Sequence, residues 1–167
     1  MKYSIRTFRR QDAADLARAA NHSEIAENLR DAFPQPYLLS DAAAFIEEAL
    51  TADNPNIIRA ICSDDVTVGV ISLYRGQDVH RKTAELGYFI DPSYRGRGFA
   101  ARAVRDLARE AFAAGELHRI YAQPFAHNRA SHRVLEKSGF TREAVQKNGA
   151  YKNGRVIDTV LYALYPE

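Results

Sequence analysis

Two hydrophobic periods alternate along this chain, one of about two residues and one of about 3.6. Tyr3 to Phe8 reads as a first strand. Gln11 to Ala20 and His22 to Leu29 read as two short helices with Asn21 as a cap between them. Asp31 to Leu39 carries Pro34 and Pro36 and is expected to be irregular. Ser40 is expected to cap a helix running to about Leu50, with Phe45, Ile46, Ala49 and Leu50 on one face and Asn54-Pro55 as its stop. Ile57 to Cys62 and Val66 to Tyr74 are β-branched runs around Ser63-Asp64-Asp65, which predicts a hairpin. Thr83 to Ile90 is a further strand, closed by Asp91-Pro92. Phe99 to Ala114 carries the clearest helical pattern: Ala100, Ala103, Val104, Leu107, Ala108 and Ala111 recur on one face, Arg102, Arg105 and Arg109 on another, and Gly115 ends it. Arg119 to Phe125 reads as a strand and Asn128 to Ser138 as a helix ended by Gly139. Thr141 to Lys152 and Val156 to Tyr165 flank Asn153-Gly154, a strong hairpin signal.

This order predicts an α/β (mixed α+β) fold, a mixed sheet with helices on both faces. The 167 residues fit one domain spanning 1–167, and a chain of that size buries a real core without staples. No repeat and no linker divides it. No apolar run reaches the length of a membrane span, and Met1 to Arg10 is polar and basic with no secretory pattern. A lone cysteine, Cys62, excludes an internal disulfide and a multi-cysteine zinc site and reads as a small core residue. His22, His80, His118, His127 and His132 show no ligand spacing with it, so no metal site is expected. A cytoplasmic protein with no membrane partner is the simplest reading. The net charge of +2 is too small to imply nucleic-acid binding. Arginine dominates the cations, and Arg95, Arg97, Arg102, Arg105 and Arg109 crowd one segment. No aromatic stacking residues are interleaved with them, so nucleic acid ranks last among the partners.

The densest signal is LGYFIDPSYRGRGFAARAVRDLA, Leu86 to Ala108. A strand runs into a glycine-containing loop that opens a helix. Free amides and the helix dipole at such a terminus suit a phosphate or pyrophosphate, and Arg95 and Arg97 add charge. A tight turn that needs glycine for sterics alone explains Gly96 and Gly98 equally well. Neither the Walker A ending nor the dinucleotide fingerprint is present.

The run Arg95-Gly96-Arg97-Gly98-Phe99-Ala100 resembles the Arg/Gln-x-x-Gly-x-Gly/Ala signature of the GCN5-related N-acetyltransferases (the GNAT family). Asn128-Arg129-Ala130-Ser131, followed by Val134-Leu135-Glu136-Lys137-Ser138-Gly139-Phe140, is similar to that family's second motif. Ser131 and the VLEKSGF ending resemble the branch that acetylates ribosomal-protein N-termini, as do the stretches NLRDAFPQPYLLSDAAAFI and DVHRKTAELGYFI.

The resemblance implies one domain with a mostly antiparallel six- to seven-stranded sheet, splayed between two parallel strands, Thr83–Ile90 and Arg119–Phe125. It implies acetyl-CoA as acetyl donor, with the pyrophosphate on the amides of Arg97, Gly98, Phe99 and Ala100 beside Arg95 and Gly96. Pantetheine would pair with the backbone near Phe89 and Ile90, where an N–H would also polarise the thioester carbonyl. Asn128 would hydrogen-bond the pantetheine arm, cap its helix, or do both.

Amide formation needs a neutral amine and a stabilised leaving thiolate. Glu85, between Ala84 and Leu86 in an apolar strand, is the candidate base. The competing reading is an edge carboxylate paired with Arg81 or Lys82. Many relatives carry a Tyr acid where this chain has Leu135, and the resemblance gives that role to Ser131, which otherwise reads as a small polar residue in a first helical turn. Asn28, Arg30 and Tyr37 would line the acceptor groove, and Asp158 matches a position often acidic in the branch. The expected activity is acetyl-CoA-dependent N-acetylation of a primary amine by direct ternary-complex transfer, most simply a peptide or protein N-terminus. A small-molecule amine (a polyamine, amino acid or antibiotic) is the close rival, and a non-catalytic acyl-CoA sensor the rival from another class. The Asn153-Gly154 hairpin suggests a monomer or homodimer.

Overall fold

The computed structural model describes residues 1–167. One seven-stranded sheet has the order β1-β2-β3-β4-β5-β7-β6. Its strands are β1 (Tyr3–Arg6), β2 (Ile57–Ser63), β3 (Val66–Arg75), β4 (Thr83–Ile90), β5 (Arg119–Ala122), β6 (Thr141–Lys152) and β7 (Arg155–Leu164). Every neighbouring pair is antiparallel except β4 and β5. Five helices complete the fold: α1 (Ala13–Ala20), α2 (Ser23–Ala26), α3 (Leu39–Ala49), α4 (Phe99–Ala113) and α5 (Arg129–Lys137). No helix is long and apolar enough to cross a membrane.

Strand alternation divides the core into two layers. On one face, Ala84, Leu86 and Ile90 of β4 pack with Ala103, Val104 and Leu107 of α4, Leu135 of α5, and Val160 and Tyr162 of β7. On the other, Ile58, Ala60 and Cys62 of β2 and Val70 of β3 pack with Leu16 and Ala20 of α1 and Ala42 and Ile46 of α3. The cysteine is buried and free. The expected faces of α3 and α4 are the faces observed, with Ala101 rather than Ala100 among the buried alanines of α4.

Several boundaries differ from expectation. The helix placed at 22–29 forms only its first turn, Ser23–Ala26. Ser40 does not cap α3 but lies inside it; the cap is Leu38, two residues earlier, and Asp41 Oδ2 accepts the Leu38 amide at 2.8 Å. Asn21 caps the C-terminus of α1, its amide donating to the Ala17 carbonyl, and its Oδ1 also accepts the Tyr37 amide across the loop at 3.0 Å. β5 stops at Ala122, three residues early, for a reason that shapes the site below. The Asn153-Gly154 turn forms as read, with both residues in the left-handed region at φ 52 and 75.

One buried ion pair joins β1 to the start of α1. Arg6 donates from Nη1 and Nη2 to Asp12 at 2.8 and 2.9 Å, and the Arg9 amide donates to Asp12 Oδ2 at 2.7 Å. Burial alone would raise the Asp12 pKa, but the Arg6 hydrogen bonds, the Arg9 amide and the Arg6 charge together hold it below the ordinary carboxylate value. A folded pKa below the unfolded one stabilises the fold at neutral pH, and that contribution fades as pH falls through the folded value. Asp12→Asn is expected to destabilise the protein by roughly 2–4 kcal/mol at pH 7. In urea denaturation the gap between variant and wild type should narrow below about pH 4. Leu107, fully buried beneath the sheet, gives the packing counterpart: Leu107→Ala is expected to cost about 2–5 kcal/mol at every pH where the protein folds.

Candidate active site

β4 follows β3 for its whole length, from Arg75↔Ala84 to Gly69↔Ile90. Gly69 permits that contact at the far end, since a Cβ there would lie 2.4 Å from the Phe89 carbonyl oxygen. On its other side β4 pairs with β5 at only three positions, Thr83↔Arg119, Ala84↔Ile120 and Glu85↔Tyr121. Beyond Ala122 the chain turns to β7, where the Val160 amide donates to Pro124 and the Ala126 amide to Asp158. The sheet therefore opens between β4 and β5, and the backbone of residues 86–90 has no strand partner on the open side.

The N-terminus of α4 stands beyond that opening. Arg95 donates its amide to Pro92 and Arg102 donates its amide to Gly98, but the amides of residues 96–101 between them donate to no protein acceptor. Gly96 and Gly98 both have φ 76, and a Cβ on either would meet nothing within 4 Å. Their glycines thus answer the left-handed backbone, and the space above them is open. Phe99 turns its ring into the core, 5.6 Å from Tyr3 and 6.5 Å from Tyr94 between centroids, which fixes the first turn and leaves the Phe99 and Ala100 amides outward. The six amides and the positive end of α4 make a ready anion site. Of the two loop arginines, Arg95 is held by Glu24 at 2.6 Å, while Arg97 lies over the Tyr94 ring, and Arg102 lies over Tyr3.

Glu85 occupies the last paired position of β4. Its side chain is 15% exposed and takes hydrogen bonds from Arg30 Nη2 and, at 2.6 Å, from Gln123 Nε2. The partner is Arg30 of the loop after α2, not Arg81 or Lys82. Three separate segments therefore converge on one carboxylate. Across the ladder, burial and then the Glu85 charge raise the pKa of Tyr121.

Ser131, in the first turn of α5, donates its amide to Asn128 Oδ1 at 3.2 Å, so Asn128 does cap the helix. Its hydroxyl lies 2.7 Å from the hydroxyl of Tyr88 on β4. Burial pushes the Tyr88 phenol up to about 12 against the lowering effect of the Ser131 hydrogen bond. Because β4 alternates, Tyr88 and Ser131 stand on the α4–α5 face, whereas Glu85 and Phe89 stand on the α1–α3 face, where Phe89 meets Phe33 at 5.4 Å. Carboxylate and hydroxyl pair flank the same opening from opposite sides.

The other expected positions have protein contacts of their own. Tyr37 is buried, its ring tilted against Phe33 at 5.0 Å between centroids, and burial pushes its phenol up to about 12. Asn28 donates to the Glu24 carbonyl while its Oδ1 is buried without a partner. Asp158 Oδ1 accepts the Asn148 amide at 2.8 Å within the irregular β6–β7 ladder. Leu135 is fully buried in the core. No group of three His, Cys, Asp or Glu side chains is placed to hold a metal. Tyr88 and Gln123 were not singled out in the sequence. Strand alternation places Tyr88 on the α5 face, but no local pattern points to Gln123.

An acetyltransferase (GNAT) domain model matches residues 3–141. The chain belongs to the GNAT acetyltransferase family. It is 39% identical over 92 residues to the probable N-acetyltransferase YjcK of Bacillus subtilis, covering 55% of this chain and 51% of that one. It is 34% identical over 103 residues to the ribosomal-protein-serine acetyltransferase of Escherichia coli, covering 62% and 57%. The matched stretches span about half the length of these curated relatives. The structure of Mycobacterium smegmatis RimJ in complex with CoA-disulfide shares the fold at a TM-score of 0.86 and 23% identity, over 98% of this chain and 81% of that one.

The two glycine environments predict different costs. Gly98→Ala, strained in φ but free of contacts, is expected to lose about 1–2 kcal/mol in urea denaturation. Gly69→Ala should lose more, because its Cβ would displace the Phe89 carbonyl.

Proposed function

We propose that the whole chain acts as one acetyltransferase domain that moves an acetyl group from acetyl-CoA to a primary amine, the α-amine of a peptide or protein N-terminus. The observation that carries this reading is the β4–β5 opening, with six unbonded amides at one end and Glu85 and Ser131 on opposite sides. The residues present fit the donor. The amides of Arg97 to Ala100 would hold the pyrophosphate, with Arg97 nearby. The unpaired edge at Phe89 and Ile90 would hold the pantetheine, and an N–H on that edge would polarise the thioester carbonyl. Asn128 Nδ2, free of protein acceptors, would reach the same arm. Acetyl-CoA supplies the activated acyl group.

The acceptor amine would enter from the α1–α3 face. Glu85 takes its ammonium proton, directly or through water, and Ser131 donates a hydrogen bond to the departing sulfur from the other face. Arg30, already on Glu85, places a fixed positive charge at the acceptor entrance. That disfavours a multiply charged polyamine, since like charges would share one carboxylate. It suits an acceptor with a single amine and carbonyl groups close behind it, which is the start of a peptide. The similarity to a ribosomal-protein-serine acetyltransferase supports the same acceptor class. The buried Leu135 carries no chemistry, and the hydroxyl one turn earlier weakens the non-catalytic alternative. A cytoplasmic location goes with this reading.

Glu85→Gln keeps the Gln123 side of the site and removes the base. Its kcat is expected to fall about 10²-fold or more, while calorimetry finds acetyl-CoA affinity within about two-fold of wild type. Unchanged turnover near neutral pH would remove Glu85 from the chemistry.

A further inference from the structure

Tyr88 has one hydroxyl proton and two nearby oxygen acceptors, both on Ser131: the hydroxyl at 2.7 Å and the carbonyl at 3.4 Å. The shorter contact is the stronger hydrogen bond. Burial keeps the phenol protonated across the neutral range, and a phenol is the better donor of the two hydroxyls. Tyr88 therefore donates to Ser131 Oγ. Ser131 cannot return its own proton along the same line. Ser131 Oγ makes no hydrogen bond to any protein group other than Tyr88, and the Asn128 carboxamide oxygen meets the Ser131 amide, not its hydroxyl. The pair leaves one free donor, turned away from β4.

We propose that Tyr88 is a positioning residue: by donating to Ser131 Oγ it turns the Ser131 proton into the β4–β5 opening, towards the sulfur that leaves during acetyl transfer. The inference rests on the function proposed above. In the transfer the ammonium proton passes first to Glu85, the neutral amine nitrogen then bonds to the acetyl carbon, and its second proton leaves to solvent as the amide forms. The carbon–sulfur bond breaks with its electron pair on sulfur. Ser131 keeps its proton and stabilises the thiolate by a hydrogen bond until sulfur takes a proton from solvent. Without the phenol, the serine hydroxyl rotates freely and spends part of its time pointing elsewhere.

Tyr88→Phe keeps the ring in the core and removes only the hydroxyl. Its kcat is expected to fall about ten-fold, with KM for acetyl-CoA and for a peptide amine within about two-fold. Ser131→Ala should fall at least as far, and the double variant should be no slower than Ser131→Ala, because Tyr88 acts only through Ser131. A second readout needs no turnover. The thiol of bound CoA, followed by its thiolate absorbance, should titrate higher in Tyr88→Phe than in wild type. Unchanged kcat, a change confined to KM, defects that multiply in the double variant, or an unmoved thiol titration would each overturn the inference while leaving the proposed function standing. A wild-type protein that binds no CoA would overturn both.

Discussion

β4 cannot follow both of its neighbours. It keeps its antiparallel ladder to β3 down to Ile90, and β5 keeps company with β7, so the parallel ladder between them lasts three residues and then parts. A sheet that opens leaves backbone donors and acceptors without partners, which a folded protein rarely tolerates away from water or ligand. The rest of the molecule is arranged around that opening. Gly69 lets β3 hold the far end of β4, the turn after Ala122 carries Gln123 toward Glu85, and the Arg95–Ala100 loop sets α4 beyond the gap with its amides outward.

The alternation of β4 then assigns the two faces to different work. Odd-numbered residues turn Glu85 and Phe89 toward the α1–α3 side, where Arg30 and Phe33 meet them. Even-numbered residues turn Leu86 and Tyr88 toward α4 and α5, where Ser131 meets Tyr88. A strand with side chains on both faces thus holds a carboxylate on one side of the opening and a hydroxyl pair on the other without the two groups meeting. The buried Arg6–Asp12 pair fastens β1 to the start of α1, and so helps hold the α1–α3 layer against the sheet.

Much of this was legible in the residues. Strands β4 and β6 and the Asn153-Gly154 hairpin fell where periodicity and turn chemistry placed them, because both are local signals. The open loop at α4 was legible from Gly96 and Gly98, and the cap at α5 from Asn128. What sequence could not supply were contacts between distant segments. Arg30 reaches Glu85 across 55 residues, and the nearer Arg81 and Lys82 were the natural guesses. Tyr88 follows from alternation only once Ser131 is known to lie opposite. Ser40 lies inside α3 because Leu38 starts the helix and Asp41 accepts its amide, and β5 ends at Ala122 because the chain beyond it keeps only its contacts with β7.

If the parted backbone of β4 and the free amides before and within the first turn of α4 form one binding surface, acetyl-CoA covers both at once. Amide hydrogen exchange, resolved by residue with and without saturating acetyl-CoA, tests it most directly. New protection is expected at residues 97–101 together with Phe89 and Ile90, with little change at the Asn153-Gly154 hairpin. Protection absent from both segments, or confined to another part of the sheet, would contradict it.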